Sequence, residues 1–187
     1  MGKVYEQIDA PLEQFIRAQQ MFFVATAPLA AEGHVNLSPK GLDSFRVLGP
    51  HSVGYLDYVG SGAETIAHLR ENGRIVLMVC AFQGPPRILR LHGRGEIVEP
   101  QDAGFEPLRA QFPPAQGVRS VVRISLTRIS DSCGFGVPLY QFEGDRAQLP
   151  KWAERKGDTA LRDYQRDKNR NSVDGLPALR WTETQEP

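Results

Sequence analysis

The chain has 187 residues, of which 41% are hydrophobic and 24% are charged, a composition typical of one globular domain with or without a tail. Lys plus Arg and Asp plus Glu number 22 each, and this balance disfavours both nucleic-acid binding and an electrostatic membrane anchor. No apolar run approaches the length of a membrane span, and the polar residues 1–10 lack the apolar centre of a secretory signal, so we expect a cytoplasmic protein.

Alternating and apolar stretches predict strands, and amphipathic stretches predict helices. In chain order these are a helix over Pro11–Gln20, strands over Met21–Ala27, Val35–Ser38, Phe45–Leu48 and Ser52–Asp57, a helix over Ala63–Asn72, strands over Arg74–Phe82 and Arg87–Val98, a helix over Asp102–Phe112, a strand over Val118–Ser132 and a charged helix over Leu149–Lys168. Asp9 is the predicted cap of the first helix. The polar remainder, Asn169–Pro187, is expected to lie over another surface.

The six or seven strands are joined by turns rather than by crossover helices. This pattern predicts a mainly β (α+β) fold, an antiparallel barrel with peripheral helices. We expect a barrel domain over residues 1–148, and a charged helix and tail over residues 149–187 that pack on the barrel or on a partner subunit.

The two cysteines, Cys80 and Cys133, lie in apolar strand-like runs without a neighbouring His or Cys. We therefore predict two buried, unpaired cysteines in a reducing compartment, and no metal site.

A Gly/Ser turn between a strand and a helix is the first candidate for a binding site. Gly60 and Gly62 allow a close backbone approach, Ser61 and Thr65 offer hydroxyl groups, and the first N–H groups of the helix lack intrahelical partners. This arrangement is typical of a phosphate site. A capped turn that binds nothing explains the pattern about as well.

Two further elements carry positive charge. Lys40 ends a strand beside a glycine and would supply the counter-charge that a phosphate needs, although a solvated lysine is the commoner case. Arg90 and Arg94 alternate along an otherwise apolar strand, which also fits a barrel strand with one solvated face. His92 on the same strand is interpreted as a surface residue rather than as a catalytic base.

Together these elements resemble the pyridoxamine 5′-phosphate oxidase-like superfamily of FMN-binding split β-barrels. The matching motifs are Lys40-Gly41-Leu42-Asp43, Asp57-Tyr58-Val59-Gly60-Ser61, Asn72-Gly73-Arg74 and Arg87-Ile88-Leu89-Arg90-Leu91-His92-Gly93-Arg94. The likeness extends from Phe22 to Ser132 and depends on the order and spacing of the motifs, since no single one is diagnostic.

The resemblance implies a six- to seven-stranded antiparallel split β-barrel that forms a homodimer, with an FMN in each crevice between the subunits. Carried over by position, the residues that would line the flavin and its ribityl chain are Asn36, Leu37, Ser38, Pro39 and Lys40, with Lys40 near the phosphate or the ring. Leu56 and Asp57 would border the flavin, and Ser61, Gly62 and Thr65 would hold the phosphate. Arg87 and Ile88 would approach the ring or the phosphate.

Some features depart from the family's vitamin B6 oxidases. Their Arg-Lys pair in the phosphate turn is replaced by Gly62-Ala63-Glu64-Thr65, and the first Arg of their earlier strand motif aligns with Val35. Their C-terminal Arg-Leu-x-Pro is absent. Oxidation of vitamin B6 is therefore disfavoured, and the chain is placed in a separate subgroup whose additional motifs are Cys133–Pro138 and Asn169–Pro177.

The resulting hypothesis is an FMN-dependent oxidoreductase that acts on a small organic substrate. One alternative is a flavin- or haem-binding module without enzymatic activity, because no catalytic base is evident in the sequence. A second is a reductase that uses the deazaflavin F420, since related split barrels bind that cofactor.

Overall fold

Antiparallel strands form one sheet in the computed structural model, which describes residues 2–182. The strands are β1 (Val4–Tyr5), β2 (Phe22–Thr26), β3 (Asn36–Lys40), β4 (Phe45–Gly49), β5 (Ser52–Tyr58), β6 (Arg74–Cys80), β7 (Ile88–Val98) and β8 (Val118–Ser132). The helices are α1 (Ala10–Arg17), α2 (Glu64–Asn72), α3 (Phe105–Arg109) and α4 (Gln148–Lys168), and a 3₁₀ turn follows at Arg180–Thr182. The predicted mainly β, antiparallel fold is confirmed.

The sheet curls until its two edges approach each other. The strand order is β3-β2-β6-β7-β8-β5-β4, and the short β1 pairs with β8. Phe22 of β2 packs edge-on against Phe45 of β4 and Tyr55 of β5, with ring centroids 5.1 and 5.5 Å apart. This open sheet with converging edges confirms the predicted split barrel, and β1 adds one strand to the predicted number.

The inward faces of the strands and one side of α1 form the main core. It contains Ile8, Leu12, Ile16, Phe22, Val24, Val53, Tyr55, Leu69, Ile75, Leu77, Val79, Leu89, Leu91, Val122, Ile124 and Ile129. Asp9 caps α1 as predicted, because its Oδ1 accepts a hydrogen bond from the Leu12 N–H at 2.9 Å. The cap fixes where α1 begins and so directs Leu12 and Ile16 into the barrel.

Two local predictions were wrong, and a third needs refinement. The helix predicted over Asp102–Phe112 is regular only over the five residues of α3, and turns flank it. The long helix α4 is interrupted at Gly157, whose φ of 68° lies in the left-handed region. Cys133 is exposed, since it follows the end of β8, whereas Cys80 is buried as predicted.

The C-terminal residues pack against the barrel through α2. Ala178 and Leu179 are fully buried against Ala63 and Ile66. The buried Glu99 carboxylate is paired with Arg180 and with Arg70 of α2. Residues 178–180 therefore lie against the barrel and α2, whereas residues 183–187 of the predicted tail lie outside the described part. The proposed division at residue 148 stays a prediction.

Residues 2–182 contain neither a candidate membrane-spanning helix nor a candidate metal-binding cluster. No helix there is long and apolar enough to cross a membrane. No group of three or more His, Cys, Asp or Glu side chains in that range is arranged to hold a metal ion.

Two leucines test the core assignment. Leu77 is fully buried, so Leu77→Ala should lower the free energy of unfolding by about 2–5 kcal/mol through lost burial and a residual cavity. Leu29 is 63% exposed, and Leu29→Ala should change it by less than about 0.5 kcal/mol. Urea unfolding of both variants measures the difference, and equal losses would contradict the barrel interior described here.

Candidate functional site

The edge strand β3 divides the predicted site residues between two faces. Asn36, Ser38 and Lys40 pair with Thr26, Val24 and Phe22 of β2 and share their inward face. Leu37 and Pro39 point outward, and Leu37 is 64% exposed. Because side chains alternate along a strand, only three of the five consecutive residues can line one site.

A network of neutral polar side chains lies beside β3, between the edge of the sheet and α2. We call this part of the molecule the barrel mouth. We call Thr26, Asn36, Ser38, Thr65 and His68 the polar cluster. The Asn36 Nδ2 donates to the hydroxyls of Thr26 (3.1 Å) and Thr65 (2.9 Å), and the Ser38 Oγ donates to the Asn36 Oδ1 at 3.1 Å. The Thr26 Oγ1 lies 3.0 Å from the His68 Nδ1. This network ties β2, β3 and α2 together.

His68 has unused hydrogen-bonding capacity. Its side chain is fully buried, and burial lowers its pKa below the ordinary value, so that the imidazole is neutral at pH 7. The Nε2 atom has no partner within residues 2–182. A buried polar atom without a partner is uncommon in a folded protein, and one beside the mouth suits a site that takes a polar ligand.

A second group of side chains is charged. Asp57 on β5 is fully buried, and its carboxylate accepts from the Arg119 Nε at 2.7 Å and from the Ser120 Oγ at 3.3 Å. The Lys40 Nζ approaches it at 3.4 Å from β3. Burial alone would raise the pKa of Asp57, but the charges of Arg119 and then Lys40 outweigh it and hold the pKa below its ordinary value.

A β-bulge places Arg119 in this group. Asp57 pairs with Ser120, but the next residue, Tyr58, pairs with Val118, so Arg119 is the unpaired residue of β8. A bulge of this kind redirects a side chain out of the regular alternation. The Arg119 guanidinium thereby reaches Asp57 and also donates to the carbonyl oxygen of Gly62 at 2.7 Å.

The predicted phosphate turn leads directly into α2, which begins at Glu64 with Ala63 as a cap that makes no side-chain hydrogen bond. Two carbonyl groups of the turn accept hydrogen bonds from distant side chains. Arg119 donates to the Gly62 oxygen, and the Asn169 Nδ2 donates to the Gly60 oxygen at 2.8 Å. Ser61 is exposed, whereas Thr65 points into the polar cluster. The turn is therefore held in place by the rest of the chain.

An apolar groove of about 760 Å³ begins at Lys40. One wall is the turn Pro39–Leu42, and another is the segment 140–149, where Tyr140 packs on Phe82 with ring centroids 5.5 Å apart. Leu42 and Asp43 both have positive φ, 61° and 50°, which is rare outside glycine. The strained turn carries Leu42 into the groove wall, directly after the cation.

Three predicted site residues lie elsewhere. Leu56 is buried on the opposite face of β5 from Asp57, in the core under α3. Arg87 is paired with Asp131 at 3.1 Å and donates to the Tyr5 hydroxyl at 2.7 Å. Ile88 begins β7 and pairs with Cys80. The structure thus brings together Asn36, Ser38, Lys40, Asp57 and Thr65. Leu56, Arg87 and Ile88 lie apart from them, Leu37 points outward from β3, and Pro39 points outward but lines the adjoining groove.

Four side chains of the site are missing from the sequence prediction: Thr26, His68, Arg119 and Ser120. One signal was available for Arg119, because a cation within the apolar run of β8 has to find a buried partner. No local pattern marks the other three, which are ordinary residues in two strands (Thr26 and Ser120) and a helix (His68).

The buried pair of Asp57 and Arg119 can be tested by mutation. Asp57→Asn should lower the free energy of unfolding at pH 7 by about 3–5 kcal/mol, because it leaves the buried guanidinium without its counter-charge. The exposed Asp163, paired with Arg166 at 3.1 Å, is the control, and Asp163→Asn should cost less than about 1 kcal/mol. Guanidinium chloride unfolding provides both values.

The same variant has a defined pH dependence. The folded pKa of Asp57 is depressed, so its stabilising contribution is complete above the unfolded pKa of about 3.9 and is lost as the pH falls through the lower folded value. The difference in free energy of unfolding between wild type and Asp57→Asn should therefore become smaller below about pH 4. A difference that stays constant with pH would contradict the pairing.

Comparisons with known proteins agree with this architecture. The family model for pyridoxamine 5′-phosphate oxidase matches residues 8–133. The pyridoxamine 5′-phosphate oxidase family protein ustO of Aspergillus flavus is 40% identical over 195 residues, covering 94% of this chain and 77% of that protein.

Solved structures share the fold at lower identity. HupZ of Group A Streptococcus is 22% identical with a TM-score of 0.50, and the match covers 65% of this chain and 91% of that one. A candidate pyridoxamine 5′-phosphate oxidase of Lactobacillus delbrueckii is 18% identical with a TM-score of 0.50, over 68% of this chain and 98% of that one. The extent of the family match and the identity to the Aspergillus flavus protein show that the chain belongs to the pyridoxamine 5′-phosphate oxidase family.

Proposed function

We propose that this protein is a flavoprotein that binds FMN at the barrel mouth and catalyses oxidation or reduction of a small organic substrate. The observation that carries the proposal is the placement of Lys40 and the polar cluster along one inward strand face, beside an apolar groove. Membership of a family of flavin-binding split barrels supports the choice of cofactor.

The donor set fits the polar parts of a flavin. Asn36, Ser38 and Thr65 offer amide and hydroxyl groups that suit ribityl hydroxyls, and Lys40 offers a cation to ring carbonyls. The five residues from Asn36 to Lys40 span about 13 Å of extended backbone, a length that suits a ring system together with its side chain. Ser61, Gly62 and Thr65 stay the proposed neighbours of the phosphate.

Lys40 is the residue that we expect to stabilise negative charge on the flavin. Its side chain is 22% exposed, and its ammonium group is held by the fully buried Asp57, so that its position is fixed before a ligand binds. FMN supplies the transfer of hydride or electron pairs. A preorganised cation in a partly dehydrated site stabilises negative charge that develops next to it, and such a cation would therefore favour reduction of a bound flavin.

The groove suggests the class of substrate. Its apolar wall, including Leu42, Phe82 and Tyr140, begins where Lys40 ends β3. Such a surface suits a small, largely apolar molecule stacked against the cofactor. A phosphorylated vitamin B6 compound is a poor match for this wall.

A homodimer would complete the site. The outward side of β3 and its neighbours carries half-buried or exposed apolar residues, among them Leu37, Phe23 and Met78. Covering this face with a second copy would place the mouth of each barrel at a crevice between subunits. The location that we propose is the cytoplasm, in line with two unpaired cysteines.

The decisive experiment is to purify the protein, record its visible spectrum, and identify any released cofactor by mass. Recovery of FMN, or uptake of added FMN, supports the proposal. A colourless protein that takes up no FMN would overturn it, and recovery of haem or F420 would favour one of the alternatives. Steady-state turnover with a reduced nicotinamide separates an enzyme from a binding module.

A lysine pair tests the role of Lys40. Lys40→Met should weaken FMN binding about tenfold or more, because a charge-assisted contact contributes roughly 1.5–3 kcal/mol. The exposed Lys151 on α4 is the control, and Lys151→Met should leave the affinity unchanged. Quenching of flavin fluorescence gives the dissociation constants, and an unchanged value for Lys40→Met would remove Lys40 from the site.

A leucine pair tests the proposed dimer. Leu37→Glu places a charge on the outward face of β3 and should convert dimers into monomers that bind FMN weakly. Leu29→Glu, at another exposed leucine, should leave the dimer intact. Analytical ultracentrifugation distinguishes the species, and a dimer that tolerates Leu37→Glu would place the interface elsewhere.

A further inference from the structure

Glu64 lies against the turn that the sequence predicts as a phosphate site. It is the first residue of α2, and its carboxylate folds back so that a Cβ built on Gly62 would overlap the Glu64 Oε2. The other oxygen, Oε1, accepts a hydrogen bond from the Val173 N–H at 3.2 Å. The chain's own carboxylate therefore stands beside the N-terminus of α2, where an anion is favoured.

The C-terminal segment 169–179 holds this carboxylate in position. Next to Val173, Asp174 accepts from the His34 N–H at 2.8 Å, and its other oxygen lies 2.6 Å from the His34 Nδ1. Asn169 is fully buried and donates to the turn, and Leu179 is part of the core that packs on α2. The donor to Glu64 thus belongs to a segment anchored at both ends.

Arg119 and Lys40, the two cations of the site described above, are both already paired with a carboxylate. Arg119 contacts the turn, but its charge is shared with the buried Asp57, and Lys40 approaches the same carboxylate. Two positive charges (Arg119 and Lys40) therefore stand beside two negative charges (Asp57 and Glu64). A phosphate monoester, which brings nearly two further negative charges at pH 7, meets no excess of positive charge among these four side chains.

We infer that Glu64 is a selectivity-determining residue, which disfavours a terminal phosphate dianion and makes the protein bind riboflavin about as tightly as FMN. The inference rests on the proposed flavin-binding function and deepens it, since the flavin is then held through its ring and ribityl chain. Repulsion between like charges at close range supplies the discrimination, and the partly exposed position of Glu64 makes it sensitive to salt.

The test compares FMN with riboflavin in fluorescence-quenching titrations of the cofactor-free protein. Glu64→Gln keeps the size of the side chain and an oxygen acceptor for the Val173 N–H, but removes the charge. We expect it to raise the preference for FMN over riboflavin about tenfold or more. Glu71→Gln is the matched control, because Glu71 lies on the same helix and accepts from the Leu29 N–H at 2.8 Å.

The outcomes separate the inference from the function beneath it. A preference raised by Glu64→Gln but not by Glu71→Gln supports the inference. A wild-type protein that binds flavins but prefers FMN strongly, or a preference that Glu64→Gln leaves unchanged, overturns the inference alone. Failure of wild type and variants to bind either flavin overturns the proposed function and the inference with it.

Ionic strength and a second variant give independent readouts. Added salt should raise the FMN-to-riboflavin preference of the wild type, because it screens repulsion, and should not raise that of Glu64→Gln. Thermal unfolding by circular dichroism checks that the variants are folded. If Glu64→Gln is destabilised, Glu64→Ala should show the same gain in FMN preference, and no gain in Glu64→Ala overturns the inference.

Discussion

The buried carboxylate of Asp57 is the constraint on which the barrel mouth depends. An unpaired charge in this position would cost several kcal/mol, so the surrounding chain has to supply partners. Arg119 does so from β8 and Lys40 from β3, and Arg119 extends the connection to the turn before α2. One carboxylate thereby fixes how two strands and the turn lie relative to β5, and with them the geometry of the candidate site.

Local sequence patterns were sufficient for the sheet but not for its closure. Period-two alternation and turn residues predict nearly every strand, and in β8 the predicted bounds match the structure. The sequence predicts one helix over Asp102–Phe112, yet only the short α3 forms, and its single turn already buries Phe105 and Leu108. The pairing of β1 with β8 joins residues too distant for any local pattern to show.

The candidate site shows the same limit. Alternation separates Asn36, Ser38 and Lys40 from the outward residues of β3, and it likewise separates Asp57 from Leu56, so the inward set was predictable. The approach of β3 to β5 follows from the curl of the whole sheet, and the inclusion of Arg119 follows from a bulge. Neither depends on a short motif, so a resemblance carried over by position could not show that Arg87 and Ile88 lie apart from Asn36, Ser38 and Lys40 within the chain.

The two ends of β3 face different electrostatic environments, and this difference bears on function. At Lys40 the strand presents a cation fixed by a buried carboxylate, next to an apolar groove. At Asn36 it presents neutral donors, with the Glu64 carboxylate close to the neighbouring turn. A ligand that lies along the strand is therefore oriented by charge at the groove end and by hydrogen bonds at the other.

A Gly/Ser turn before a helix indicates where an anion could bind, but an acidic residue in the first helical turn can satisfy the same helix end from within the chain. Which of the two occurs depends on where the Glu64 side chain is held, and here that is determined by Val173, more than one hundred residues further along the chain.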